Sequence, residues 1–298
     1  MVLLSGCLGG GGGSTASAIT QTTFTDWNSI VKPTQVNLNG ISTDASYSTD
    51  AAITKVTSIT NQGTDLTTNT SITYRSNGTI SKISTTTQNS WHDGTVTFDE
   101  DLGHTIGDTG STIYGWNNDG QDFMLAANPL YSVLTWNYQT FGIWETGRGT
   151  GSGTAGGISV GTVTAGSSIP TSSSATYSGV FGGAGIDAAG TDFLTRGNVS
   201  VSADFSNRSL AFSTSGSEFI IPVTSTPTWT AKSALNMSGT LTYSAATNSF
   251  TGSISDSFIG SGTATGKFYG PNAEELGGVY NIDGTGVKIH AGAFGAKK

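Results

Sequence analysis

From residue 175 to the C-terminus the sequence alternates apolar and polar side chains in eight short segments, and few folds accept such a pattern. The segments are ATYSGVFGG (175–183), GNVSVSADF (197–205), RSLAFSTS (208–215), MSGTLTYS (237–244), SFTGSIS (249–255), GTATGKFYG (262–270), GGVYNI (277–282) and VKIHAGAF (287–294). A period of two puts every second side chain on the same face of a strand. The connections are turn chemistry: Ser206-Asn207, Ala246-Thr247-Asn248 and Asp283-Gly284-Thr285-Gly286. Eight antiparallel strands joined in this way predict an up-and-down β-barrel, whose closure removes exposed edges.

The region before it is also β-rich but less regular. SITYR (71–75), GTVTF (94–98), TIYGW (112–116) and YSVLTWNYQTFGIWE (131–145) read as strands, with Asn77-Gly78 and Asp93-Gly94 as hairpin turns. Residues 147–174 are glycine-rich and lack bulky aromatic residues, so they read either as a linker or as a strand followed by a long loop. The expected organisation is therefore all-β: a tether over 1–23, a β-rich domain over 24–170 and the barrel over 171–298. Composition agrees. Charged residues are 11% of the chain, against ~25% in ordinary domains, and glycine reaches 43 residues. The net charge of −8 includes no basic patch, which excludes nucleic acid as a partner.

The single cysteine, Cys7, follows Leu4-Ser5-Gly6 and precedes Leu8 and the glycine run 9–13. This order fits cleavage by a lipoprotein signal peptidase and acylation of the Cys7 thiol, with the glycines as a flexible leash. Only six residues precede Cys7 and none is basic, so the expected signal peptide begins upstream of the chain. Leu8 is compatible with sorting to an outer membrane.

GKFYGPNAEELGGVYNI (266–282) breaks the surrounding texture with an aromatic pair, a proline, adjacent glutamates and a double glycine. Pro271 pre-sets φ for a helical turn that Asn272, Ala273, Glu274, Glu275 and Leu276 complete. The glutamates then lie near the positive end of its dipole, and Gly277 and Gly278 end it at positive φ. The expectation is a one-turn crossover at a barrel rim, its glutamates exposed or capping.

Phe268-Tyr269-Gly270-Pro271-Asn272-Ala273-Glu274-Glu275 followed by Gly277-Gly278 closely resembles the C-terminal signature of transferrin-binding protein B-type bacterial surface lipoproteins. That group includes haemophilins and, more distantly, factor H binding protein. Phe294 near the terminus and Cys7 with its leash reinforce the likeness, which covers residues 175–298. It implies an eight-stranded barrel packed on a more variable β "handle", the two forming one lobe, as in the single-lobed haemophilin type. It implies a structural role for the signature, with binding on variable loops. The expected function is non-enzymatic: a lipid-anchored protein on the outer-membrane surface. It captures a transferrin-like protein, a haem carrier or another host or environmental molecule, and passes iron or haem to a membrane transporter. The alternative is a structural or adhesive surface lipoprotein without a transport role.

Haem is the one cofactor considered, with the histidines as its ligands. Trp91 and His92, with His104, Tyr114 and Trp116, mark the first choice of ligand face, because aromatic side chains dominate contact energy at interfaces. His290 falls on the last strand, where a half-buried structural role is expected. No metal site and no catalytic group are assigned. Gly157-Ile158-Ser159-Val160-Gly161 matches a nucleophile elbow, and Asp283 and His290 complete a triad order. The required helix does not follow it. Gly151–Gly156 matches G-x-G-x-x-G without a βαβ unit, and Gly182–Asp187 resembles a single calcium nonapeptide that needs stacked copies. Cys7→Ala, in a precursor with an intact signal peptide, is expected to abolish incorporation of radiolabelled palmitate. Undiminished labelling would contradict the lipoprotein reading.

Overall fold

A computed structural model describes residues 21–86, 94–131, 133–222 and 228–298. The handle is one sheet built from Gln21–Thr23 (β1), Thr34–Thr49 (β2), Val56–Tyr74 (β3), Ile80–Thr86 (β4), Thr95–Asp99 (β5), Thr105–Asp108 (β6), Thr112–Trp116 (β7), Phe123–Ala127 (β8), Gln139–Thr146 (β9) and Ser152–Gly161 (β10). Its order is β5-β4-β3-β2-β10-β9-β8-β7-β6, with β1 lying parallel against the start of β2. The sheet curls over its own core, where Val36, Leu38, Ile72, Phe98, Ile113, Met124, Trp144 and Val160 are buried together.

The barrel follows: Ser174–Ile186 (β11), Asp192–Asp204 (β12), Ser209–Ile220 (β13), Thr230–Ala231 (β14), Ser238–Ser244 (β15), Ser249–Ser255 (β16), Ser261–Tyr269 (β17), Glu275–Asp283 (β18) and Ile289–Lys297 (β19). Successive strands pair antiparallel, and β11 pairs with β19 to close the ring. β14 is a two-residue appendage on β13, leaving eight strands in the barrel itself. Each alternating segment of the sequence lies on one of those eight strands.

Alternation works because the inward positions fill one aromatic core. Phe268 is its centre, with ring centroids 5.3 Å from Tyr243, 5.6 Å from Phe250, 6.1 Å from Phe205 and 6.2 Å from Tyr177. β18 departs from alternation, since every residue from Glu275 to Ile282 is buried. Its outward face is covered by the handle. Ile41, Trp136 and Phe141 pack there against Val279 and Ala293.

One stretch folds differently from its sequence reading. Of 131–145 only the part from Gln139 is strand. The segment before it is a loop in which the Tyr131 carbonyl accepts from the N–H groups of Leu134 and Thr135, with Thr135 at φ 47°. Of the two readings of the glycine-rich stretch, the structure takes the strand followed by a long loop, with Ser152–Gly161 forming β10 between β2 and β9. Its small residues let the barrel approach: a Cβ on Gly157 would lie 2.6 Å from the carbonyl carbon of Gly292 in β19. Phe268→Ala is expected to destabilise the protein by about 3–5 kcal/mol in urea unfolding, as large-to-small changes in aromatic cores do. A loss below about 1 kcal/mol would contradict Phe268's central place.

Candidate functional site

The signature region joins barrel to handle rather than forming a helical turn. Between β17 and β18, residues 270–273 make a non-helical turn in which the positive φ values fall on Gly270 (87°) and Ala273 (55°). Gly277 and Gly278 lie inside β18 and need no positive φ. Gly277 is glycine for space, since a Cβ there would lie 2.2 Å from Gln139 Oε1 and 2.5 Å from Ser159 Oγ.

Glu274 and Glu275 have different surroundings. Glu274 accepts from the Asn272 N–H at 2.8 Å and from its carboxamide at 2.9 Å. Desolvation opposes ionisation, but those hydrogen bonds, with help from Lys298, hold its carboxyl below the ordinary range. Glu275 is buried, so the expectation of an exposed or capping carboxylate fails for it. It reaches across to the handle, accepting from the N–H groups of Asn137 at 2.6 Å and Tyr138 at 3.0 Å. Burial pushes its carboxyl up to about 7, against the lowering effect of those N–H donors.

Neighbouring bonds extend this seam. Gln139 Nε2 donates to the carbonyls of Leu276 (2.9 Å) and Ala296 (3.3 Å). The Tyr269 hydroxyl is 2.8 Å from the Ser159 carbonyl and 3.1 Å from its Oγ. Gly270 N–H donates to Thr162, and Thr164 Oγ1 donates to the Gly270 carbonyl at 2.6 Å. Ser159 is thus a buried member of β10, with no elbow beneath it. The nitrogens of His290 meet Asp256 (3.3 Å), Thr195 (2.9 Å) and Tyr280 (2.9 Å) instead. His290 is completely buried, further than the half-burial expected of it.

A groove of about 580 Å³ opens between the handle's β8–β9 region and the barrel's β11–β13 region. Leu125, Phe141 and Ile143 line one side and Val180, Leu194 and Trp229 the other. Arg196 lies 4.2 Å over the Trp229 ring and pairs with Glu218 at 2.8 Å. Beside it, Leu130, Tyr131 and Val133 are 56%, 37% and 74% exposed on the loop before β9. Sequence reading placed Tyr131 and Val133 in a strand and missed all three as a surface. Asn128-Pro129, just before the apolar run, was the available signal, because proline disfavours entry into a central strand.

The expected ligand residues are only partly brought together. Trp91 and His92 lie outside the described residues, as does Cys7. Tyr114 pairs in register with Leu125, so it shares the groove-facing side of the sheet, one strand beyond the groove wall. Trp116 packs on Phe123 at 5.4 Å. His104 is committed locally, its Nδ1 accepting from the Asp99 N–H at 3.1 Å and its ring edge-on to Phe98. Among the described residues no three His, Cys, Asp or Glu side chains cluster as a metal site.

Residues 169–298 match the family model described as the C-lobe and N-lobe β barrels of Tf-binding protein B. The barrel half is therefore similar to the β barrels of transferrin-binding protein B. A transferrin-binding protein B variant from Haemophilus parasuis Hp5 is similar over 88% of this chain and 76% of its own, at 12% identity and a TM-score of 0.46. One from Actinobacillus pleuropneumoniae H49 matches 86% of this chain and 98% of its own, at 14% identity and 0.44. A structure described as a surface lipoprotein matches 87% and 98%, at 13% and 0.45. No curated protein sequence matches the chain.

Glu275→Gln turns an amide N–H₂ towards a buried backbone N–H, so it is expected to cost about 1–3 kcal/mol in thermal unfolding. Glu274→Gln is expected to cost less than Glu275→Gln. Because Glu275 is raised when folded, its contribution is complete below about pH 4.5 and is lost as pH rises through about 7. Wild type should therefore lose more stability than Glu275→Gln across that window. Parallel pH profiles would contradict the buried carboxyl.

Proposed function

We propose that this protein is a non-enzymatic, lipid-anchored receptor on the outer-membrane surface, and that the groove beside Leu130, Tyr131 and Val133 docks a protein ligand. The observation that carries the reading is the exposure of three large apolar side chains within four positions, next to an apolar groove holding a half-buried tryptophan. Exposed apolar clusters of this kind mark interaction sites, and aromatic and arginine side chains supply most of the binding energy at their centres. Trp229 and Arg196 provide such a pair. The rigid seam holds both walls while the loop is free to vary in sequence.

Support for the anchored setting comes from Cys7 and its leash. The barrel type and the printed names of its structural neighbours favour a carrier protein of the transferrin kind, with iron passed to a membrane transporter. Haem is the second candidate cargo, and His92 or His104 would be its ligand. Captured transferrin or haem-carrier proteins should bind wild type in surface-resonance measurements. Val133→Asp combined with Trp229→Ala should weaken that binding at least tenfold, with the melting temperature unchanged. Binding equal to wild type would refute the groove. Absence of any captured carrier would leave the adhesive reading in its place. Added haemin should give a sharp Soret band only if haem is cargo, and His104→Ala should weaken it.

A further inference from the structure

A second cavity, of about 440 Å³, lies between handle and barrel and shares only Leu194 with the groove just described. Val56 of β3 contributes one wall, and Ile186, Phe193 and Ile289 of the barrel contribute the other. Its rims are tied together, because the Val56 N–H donates to the Gly190 carbonyl at 3.0 Å. The β2–β3 turn at the mouth is braced by Asp50, which accepts from the N–H of Thr54 at 2.7 Å and from its hydroxyl at 2.8 Å. The volume falls within the roughly 300–1,000 Å³ of pockets that enclose small organic molecules.

Tyr47, Glu145, Arg148 and Asp192 are among the polar side chains that line this apolar space. Arg148 Nη2 faces Asp192 Oδ2 at 3.5 Å, so those two charges answer each other. Glu145 has a different situation. Among the described residues its side chain meets one hydrogen-bond donor, the neutral Tyr47 hydroxyl at 3.2 Å, which also lies 3.0 Å from the Thr146 carbonyl. A half-buried, desolvated carboxylate whose nearest cation, Arg148, already faces Asp192 either takes up a proton or is paired from outside. An acid would have to displace Asp192 from Arg148, whereas a cation meets an acceptor whose only donor is uncharged.

We propose that this cavity binds a small apolar amine, whose ammonium donates to Glu145 while its hydrocarbon body packs on Val56, Ile186, Phe193 and Ile289. Proton balance follows from the surroundings of the carboxyl. Burial pushes Glu145 up to about 7, with Arg148 and the Tyr47 hydrogen bond opposing the rise and Asp192 and Asp122 adding to it. Lys55, the remaining charge at the mouth, is exposed. Below that value the ammonium displaces the Glu145 proton, and above it the carboxylate is already charged. Affinity for the amine therefore rises with pH and levels off once Glu145 is ionised.

The test is calorimetric titration of the purified protein with phenethylamine, 2-phenylethanol and 3-phenylpropanoate, matched in shape and differing in charge. Phenethylamine is expected to bind at least about tenfold more tightly than either partner probe, and roughly tenfold more tightly at about pH 8 than at about pH 6. Glu145→Gln should remove both the preference and the pH dependence. Ala184→Phe, which fills the cavity from β11 without touching Glu145, should abolish binding and keeps the test open if Glu145→Gln fails to fold. The inference is overturned by phenylpropanoate binding as tightly as the amine, by unchanged binding in Ala184→Phe, or by no phenethylamine binding at millimolar concentration. None of these outcomes bears on the docking groove, which none of the probes or variants alters.

Discussion

The structure depends on β18 and β19 serving two cores at once. Their inner faces close the aromatic barrel, and their outer faces form the floor on which the handle rests. Such an arrangement requires backbone to approach backbone, which side chains would prevent, and the chain meets this with glycine at facing positions. Gly157 on β10 lies against Gly292 on β19, and Gly277 on β18 leaves room for Gln139 and Ser159. Once the sheets are that close, their polar groups must be satisfied across the gap. Glu275, Gln139 and Tyr269 do this with hydrogen bonds from one lobe to the other.

A fixed seam also explains where binding chemistry can lie. The seam is filled by packing and hydrogen-bonded polar groups, although Gln139 Oε1 is buried there without a partner among the described residues. The two open spaces flank it, each with one wall from the handle and one from the barrel. Their shapes are therefore set by the relative position of the lobes. Loops at their mouths can change sequence without disturbing β18 or β19.

The barrel was legible in the sequence because each strand has one face in the aromatic core and one face in water. Alternation is strict from Leu210 to Thr214 and from Leu241 to Tyr243, and it fails where both faces are buried, as along β18. The signature around Pro271 was recognisable, but its local chemistry misled. Proline followed by two glutamates describes a helix start only if the glutamates are near the surface, and Glu275 is held by Asn137 and Tyr138 from a distant part of the chain. Residues 152–161 left linker and strand undecided for the converse reason. Glycine there answers a tertiary demand for close approach, which one strand's sequence cannot display. The loop at Tyr131–Val133 read as strand because apolar and β-branched residues look the same whether they fill a core or await a partner.

The central claim is that the Glu275 clasp makes the handle's residues 137 and 138 part of the barrel's cooperative unit. Native-state hydrogen exchange at these two amides tests it directly, because protection reports the free energy of the opening that exposes them. The account predicts that the Asn137 and Tyr138 N–H groups exchange only with the opening that releases the barrel amides of β18. Exchange at the rate of exposed loop amides, while β18 remains protected, would contradict it.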